Sequence, residues 1–282
     1  MGVAKRTVSR LFYGYRRVNE RGLARAVTGK TVLVTGASHG IGRATARKLA
    51  AAGAHVVLVA RSQHHLDDLA AEITADGGAA IALRTNLTDF DEVDNLTKYV
   101  RDEFGRVDIL VSNAGKSVRR AIHDSYDRFH EHQSLININY LGPVKLTLGL
   151  LPLMRAHGGG LLVNVATFAT RLPPWPRWAG YQASKSAFDI WLRGTVAELR
   201  QDGIRLATVY PGFVDTRMSA PTAHLRRLPP LHLDDAANLV CAAIVRGRGN
   251  IGPRWIPLID GAAGLCQDIA SRVATTAHRH MA

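Results

Sequence analysis

The chain has 282 residues, 46% apolar and 21% charged, the balance of a globular protein with a substantial buried core rather than a disordered one. Its formal charge of +13 is uneven, with Lys5, Arg6, Arg10, Arg16, Arg17, Arg21 and Arg25 opposed only by Glu20 in residues 1–28. No aromatic–basic interleaving accompanies that charge, so a nucleic-acid partner is not expected, and no uninterrupted apolar run reaches the roughly 18 residues of a membrane span.

In the amino-terminal piece, Val8, Leu11, Phe12, Tyr15 and Val18 follow helical spacing, with Arg6, Arg10, Arg16 and Arg17 elsewhere around the helix. A basic amphipathic helix of this kind suits an anionic membrane surface. It suits equally a packing site on the catalytic domain or on an oligomer partner, and both uses stay open. The piece lacks a compact apolar segment and a small-residue cleavage site, so secretion is not expected. The expected location is the cytoplasm, with the inner face of the membrane as the helix's alternative.

From residue 29 to 260, short apolar runs alternate with helical patterns. The runs are "TVLVTG" (31–36), "AHVVLVA" (54–60), "AAIALR" (79–84), "VDILVSN" (107–113), "GLLVNVA" (160–166), "IRLATVYP" (204–211) and a weaker "PRWIPL" (253–258). Runs this continuous suit strands buried on both faces. The helical segments between them, such as "IGRATARKLAAAG", end in glycine. The pattern predicts a single α/β domain of the Rossmann type, doubly wound, its seven-stranded parallel sheet covered by helices on both faces. Residues 261–282 read as a helical tail. Cys241 and Cys266 fall in apolar helical patterns and are expected to be reduced thiols.

The first strand runs into "TGASHGIG" (35–42). Glycines at 36, 40 and 42 between a strand and a helix let the backbone turn sharply and bring the helix start close to a pyrophosphate, where free N–H groups favour an anion. Further on, "YQASK" sets Tyr181 and Lys185 four residues apart, on one helix face. An ammonium near a phenol lowers its pKa towards the range of a useful acid or base.

Together, "TGASHGIG", "NAG" (113–115), "YQASK" (181–185) and "PGFVDT" (211–216) resemble the short-chain dehydrogenase/reductase family in order and spacing, over residues 29–258. The resemblance implies that Tyr181 is the catalytic acid and that Lys185 tunes it and holds the nicotinamide ribose. It also implies a serine thirteen residues before the tyrosine, where this chain has Phe168. The Pro- and Trp-rich loop is longer by one residue, which brings Thr167 into the serine's place. Its alternative there is a β-branched strand end with impaired catalysis. Asn139 matches the family's proton-relay asparagine, with Asn137 the neighbouring choice. Gly36, Ser38, His39, Gly40, Ile41 and Gly42 would hold the pyrophosphate side of the cofactor, and Asn86 and Leu87 its adenine. Asn113, Ala114 and Gly115 would line it, and Pro211, Gly212, Val214 and Thr216 would meet its carboxamide. Ala60 stands where users of NAD carry an acid, and Arg61 follows it, so NADP(H) is the expected cofactor, with His39 assisting.

The histidines at 64–65, 130/132 and in the terminal "HRH" are read as lacking acids at ligand spacing, and no metal is expected. Apolar residues and prolines between Arg217 and Leu233, with Trp175 and Trp178 opposite, suit a hydrophobic small-molecule substrate. Arg119, Arg120, Arg226 and Arg227 would meet an anionic headgroup. Residues 119–152 also resemble actinobacterial short-chain reductases and the reductase domain of bacterial fatty acyl reductases, which implies a lipid-derived carbonyl. Relatives of this kind form homodimers or homotetramers through the helices that bear Asn139 and Tyr181. The rival expectation is an NADP(H)-binding module that kept the fold without turnover.

Overall fold

Aliphatic and β-branched runs become strands where both faces are covered, and Thr31–Thr35 (β1) is buried at every position. A computed structural model of the chain describes residues 3–13, 18–220, 230–253 and 255–256. Tyr15, Arg16, Arg17, Arg226, Arg227, Cys266, the terminal histidines and the tail at 261–282 lie outside the described residues. After two amino-terminal helices, Val3–Tyr13 (α1) and Glu20–Val27 (α2), strands and helices alternate. They are β1, Gly40–Ala51 (α3), His55–Ala60 (β2), Gln63–Ala75 (α4), Ala79–Arg84 (β3), Phe90–Phe104 (α5) and Ile109–Ser112 (β4). Phe129–Ile136 (α6), Gly142–Ala156 (α7), Gly160–Val165 (β5), Ala179–Leu199 (α8), Ile204–Val209 (β6), Leu233–Arg246 (α9) and Gly249–Ile251 (β7) follow.

The seven strands pair in parallel in the order β3-β2-β1-β4-β5-β6-β7. The chain winds outward from β1 to β3, then returns to place β4 beside β1. That reversal opens a crevice beyond the carboxyl ends of β1 and β4, where doubly wound sheets take ligands. One core cluster joins α3, α4 and α9 to the sheet through Val32, Leu49, Leu69 and Val240, and the other joins α5, α7 and α8 through Leu33, Val100, Leu150 and Phe188. No helix of the described residues is long and apolar enough to cross a membrane.

One expectation needs correction. The seventh strand lies at Gly249–Ile251, ahead of the run that begins at Pro253. Proline has no N–H for a ladder, and Pro253 opens the run that looked extended; Ile256 joins the buried cluster of Phe168 and Tyr210 instead, with Trp255 packed against it. The amino-terminal helices pack on the sheet domain, one of the uses that the sequence left open. Tyr13, Leu23 and Val27 are buried in the same core as β1 and α9. Ser9 Oγ donates to Pro230 O at 2.9 Å, and Trp255 Nε1 donates to Phe12 O at 3.2 Å. The Arg10 guanidinium grips the buried Asp235 carboxylate with two bonds of 3.1 and 2.8 Å. Val8 and Leu11 face outward and are exposed.

Candidate active site

The glycine turn between β1 and α3 is shaped by what glycine lacks. Gly36 has φ +66°, and a Cβ there would stand 2.8 Å from Asn113 Nδ2 and 2.9 Å from Ala114 Cα. On the first turn of α3, a Cβ at Gly42 would overlap the Gly36 carbonyl. The helix start therefore lies directly on the strand end, and Ser38, Gly40 and Ile41 line the cleft at its N–H-rich end, a polarity suited to phosphate. Asn113 Nδ2 donates to Thr35 O at 2.9 Å, and the N–H groups of Asn113 and Ala114 donate to Thr35 Oγ1 at 2.9 and 3.0 Å. These bonds lash β1 to β4 at the crevice.

Arg61, His39 and His65 line the same end of the cleft. The two imidazoles meet edge-on with centroids 4.5 Å apart. Burial holds the His39 pKa below its ordinary value, and His65, Arg217 and Arg43 push the same way. Ala60 leaves β2 without a terminal acid, so this rim is cationic. Asn86 is held in its own turn, accepting from Thr88 Oγ1 at 2.9 Å, while Thr85, Leu87 and Thr88 line the wall. The reading of His64 and His65 as lacking an acid is corrected by Asp68, one turn along α4, whose carboxylate lies 3.4 and 3.9 Å from their Nδ1 atoms. All three sit at the surface, where water competes for their charges.

Tyr181 and Lys185, one turn apart on α8, both line the cleft. The Thr167 side chain lines the cleft with them. Thr167 follows β5 in extended backbone (φ −152°, ψ 148°) and caps a short 3₁₀ turn, Phe168–Arg171, its Oγ1 accepting from Ala169 N at 3.3 Å. Burial pushes the Tyr181 phenol above its ordinary pKa, and the Thr167 side chain opposes that push. Lys185 is buried, its pKa brought down to about 8 by desolvation, and its Nζ donates to Val165 O at 3.2 Å. The spacing suggested a lowered phenol pKa; the direction here is upward, because burial is its largest cause.

Asn139 lies in a π-helical turn, Asn137–Leu141, between α6 and α7. Its Oδ1 accepts from Lys116 N at 3.0 Å, and its Nδ2 donates to Lys116 O and Ser184 Oγ, both at 2.9 Å. A Cβ on Gly115 would stand 2.9 Å from Asn139 Oδ1 and 3.0 Å from Lys185 Nζ. The sequence-derived residues thus gather around one cleft of about 2080 Å³, and Gly115, Pro211, Gly212, Val214 and Thr216 are among its lining. Gly42, Asn86 and Asn139 stand behind that lining. A single small-molecule pocket is about 300–1,000 Å³, so this cleft has room for a dinucleotide and a substrate together.

Several residues that shape the site were not legible as such. Gln182 Nε2 donates to Ala169 O at 2.7 Å and Leu172 O at 2.9 Å, and its Oε1 accepts from Trp175 N at 3.0 Å, so one amide pins the Pro-rich loop to α8. Asp189, 2% exposed, accepts from Tyr210 Oη at 3.1 Å and Asn164 Nδ2 at 3.2 Å, tying β5, β6 and α8 together. Burial and that carboxylate push the Tyr210 phenol well up. The available signal was spacing: Gln182, Lys185 and Asp189 share one face of α8. Phe12 from α1 joins Phe168, Leu172, Phe213 and Trp255 in an apolar wall. The Tyr13 ring fills the place a Cβ on Gly212 would need.

Residues 30–226 match the model of the short chain dehydrogenases. The chain belongs to that family. It is an oxidoreductase of CH–OH and C=O groups, and its family works with NAD(P). It is 41% identical over 220 residues to a fatty acyl-CoA reductase of Acinetobacter baylyi, covering 78% of this chain and 74% of that one. A fatty acyl-CoA reductase of Mycobacterium tuberculosis is 36% identical over 244 residues, covering 82% and 83%. A metagenomic short-chain oxidoreductase, solved in complex with NADP, superposes with a TM-score of 0.68 at 31% identity, over 78% of this chain and 92% of that one.

Proposed function

We propose that this short-chain enzyme is an NADPH-dependent reductase of a hydrophobic, lipid-derived carbonyl, with Tyr181 as proton donor. The observation that carries the reading is that Thr167, Tyr181 and Lys185 line one cleft together with the glycine turn after β1. When bound, the nicotinamide cofactor supplies the hydride that the carbonyl carbon receives. The close-packed turn from Gly36 to Gly42, with Ser38 and Ile41, would hold its pyrophosphate. Arg61 and His39 would meet a 2′-phosphate, and the fit is supported by the missing acid at Ala60. Leu87 with Asn86 would meet the adenine, Asn113 to Gly115 would line the cofactor, and Pro211, Gly212, Val214 and Thr216 would face its carboxamide.

The raised pKa keeps the phenol protonated at neutral pH, the form that a carbonyl oxygen needs as it gains negative charge. The Thr167 hydroxyl offers a second donor to that oxygen. As Tyr181 gives up its proton, the Lys185 ammonium one turn away offsets the charge left on the ring oxygen. Asn139 acts from behind, fixing Lys116 and Ser184 where the loop after β4 meets α8. The apolar wall of Phe12, Phe168, Phe213 and Trp255 suits an acyl chain, and the fatty acyl-CoA reductases among the relatives support that substrate class. Exposed Leu148 on α7 and Ile190 on α8 fit a homodimer or homotetramer.

The test is oxidation of NADPH and, separately, NADH by the full chain with dodecanal, a long-chain ketone and dodecanoyl-CoA. Tyr181→Phe is expected to lose about 10²–10⁴-fold in turnover while NADPH binding holds. Turnover within a few-fold of wild type in that variant would overturn Tyr181 as the acid.

A further inference from the structure

Near the cleft, Arg119 and Arg177 stand on two neighbouring loops, and neither forms an ion pair among the described residues. Arg119 lines the cleft four residues beyond Gly115, and its guanidinium carbon sits 5.2 Å from the centroid of the Trp178 ring. Arg177 immediately precedes that tryptophan. The Nε atoms of both arginines are buried and have no hydrogen-bond partner among the described residues. Glu131, one of the acids of this rim with Asp124 and Asp127, is already engaged, taking two bonds from Arg120 (2.6 and 2.7 Å) and a third from Arg128 (3.2 Å). Burial first, then the neighbouring Arg177 charge, pulls the Arg119 pKa down.

The backbone holds this pair in place. Arg177 has φ +67°, the one positive value outside glycine among the described residues. Side chains other than glycine adopt that region at a cost, and such residues concentrate at ligand sites. The Arg177 carbonyl accepts from Arg120 N at 2.8 Å, which locks the loop after β4 against the loop after β5 next to Arg119. Arg120 thereby contributes its backbone to the pair and its side chain to Glu131.

We propose that Arg119 and Arg177 form an anion-binding subsite for a phosphate on the headgroup of the substrate, the group that a thioester of a phosphate-bearing carrier presents outside the cleft while its acyl carbonyl lies inside. Two guanidinium forks offer more donors and charge than one carboxylate can use, and a phosphate satisfies both. Trp178 beneath Arg119 keeps one face of the site dry and the fork flat. The inference rests on the reading of the cleft as an acyl-carbonyl site.

The test compares three thioesters of one chain, dodecanoyl-CoA, dodecanoyl-phosphopantetheine and dodecanoyl-pantetheine, with dodecanal as the neutral control. Wild type is expected to show a KM about tenfold or more higher for the pantetheine thioester than for the CoA thioester. In Arg119→Gln and Arg177→Gln that gap closes, and any change in the KM for dodecanal is smaller than the change in the KM for the CoA thioester. The phosphopantetheine arm tells a phosphate at the pantetheine end from one on the nucleotide. No gap in wild type, or a gap that survives both variants, overturns the subsite. Calorimetry of coenzyme A and of pantetheine on the NADPH-loaded protein separates this from failure of the reductase reading. Binding of coenzyme A that needs both arginines, without turnover of any carbonyl, sustains the subsite while removing the proposed reaction. Binding of both compounds alike, or of neither, sinks the subsite whatever the turnover.

Discussion

At the end of the cleft beside β1, shape comes from backbone packed on backbone: Gly36, Gly42 and the Thr35–Asn113 bonds lie close in sequence or on paired strands. At the substrate end it comes from side chains delivered by remote segments. Phe12 arrives from α1, Phe168 from the turn after β5, Phe213 from the loop after β6 and Trp255 from beyond β7, with ring centroids 5.2–6.1 Å apart along the chain of contacts. The first construction tolerates no added atom. The second can be repacked, because a wall of side chains exchanges volume more readily than a crossing of main chains.

The largest effect that tests this contrast is expected at Gly42→Ala. Its new Cβ meets a carbonyl that cannot move without breaking the β1 turn, so a stability loss of about 3 kcal/mol or more is expected by chemical denaturation, with NADPH binding lost alongside. Retention of both would show that the turn yields after all. The second effect comes from Lys185, whose pKa falls from the ordinary lysine value of 10.5 to about 8 in the fold. Between those values the unfolded chain binds more protons than the native one, so stability rises with pH across that window and its cost is fully present below it. Lys185→Met should therefore be more stable than wild type at pH 7, by up to about 3 kcal/mol, with the advantage shrinking from pH 8 towards 10.5. A pH-independent difference would remove the buried charge as its cause. In activity, kcat/KM for reduction should fall above pH 8 as the ammonium is lost.

Phe12→Ala is the smallest of the three. It is expected to cost about 1–2 kcal/mol of stability, below the usual range for a fully buried phenylalanine because Phe12 is half-buried, and to raise KM for twelve-carbon substrates more than for four-carbon ones. Equal changes for both lengths would mean that α1 only braces the wall.

The same contrast explains what could be read in advance. Six strands, the glycine turn and the Tyr181–Lys185 face are encoded in short windows, where periodicity and spacing report directly on the backbone. Gly249–Ile251 escaped because three edge residues carry no such pattern, while the Trp–Ile run beside it imitated a strand. Gln182 and Asp189 were visible as polar residues on one helix face, but their partners at 169–175 and 210 were not. Phe12 looked like half of a surface helix because its neighbour, Trp255, lies far along the chain. The Arg119–Arg177 pair depends on one unusual backbone angle that no local signal announces.

The bonds that seat α1 span 221 and 243 residues of chain, from Ser9 to Pro230 and from Phe12 to Trp255. At about 5–20 residues per second of synthesis, α1 waits on the order of ten seconds or more for its docking site to be made. Its 11 residues fall short of the ~12–15 below which an isolated helix is marginal in water. The segment is therefore expected to coil where it lands, after the sheet has closed. Until then Phe12 and Tyr13 are presented to whatever surrounds the growing chain, and the apolar wall of the cleft is completed only after Trp255 has been synthesised.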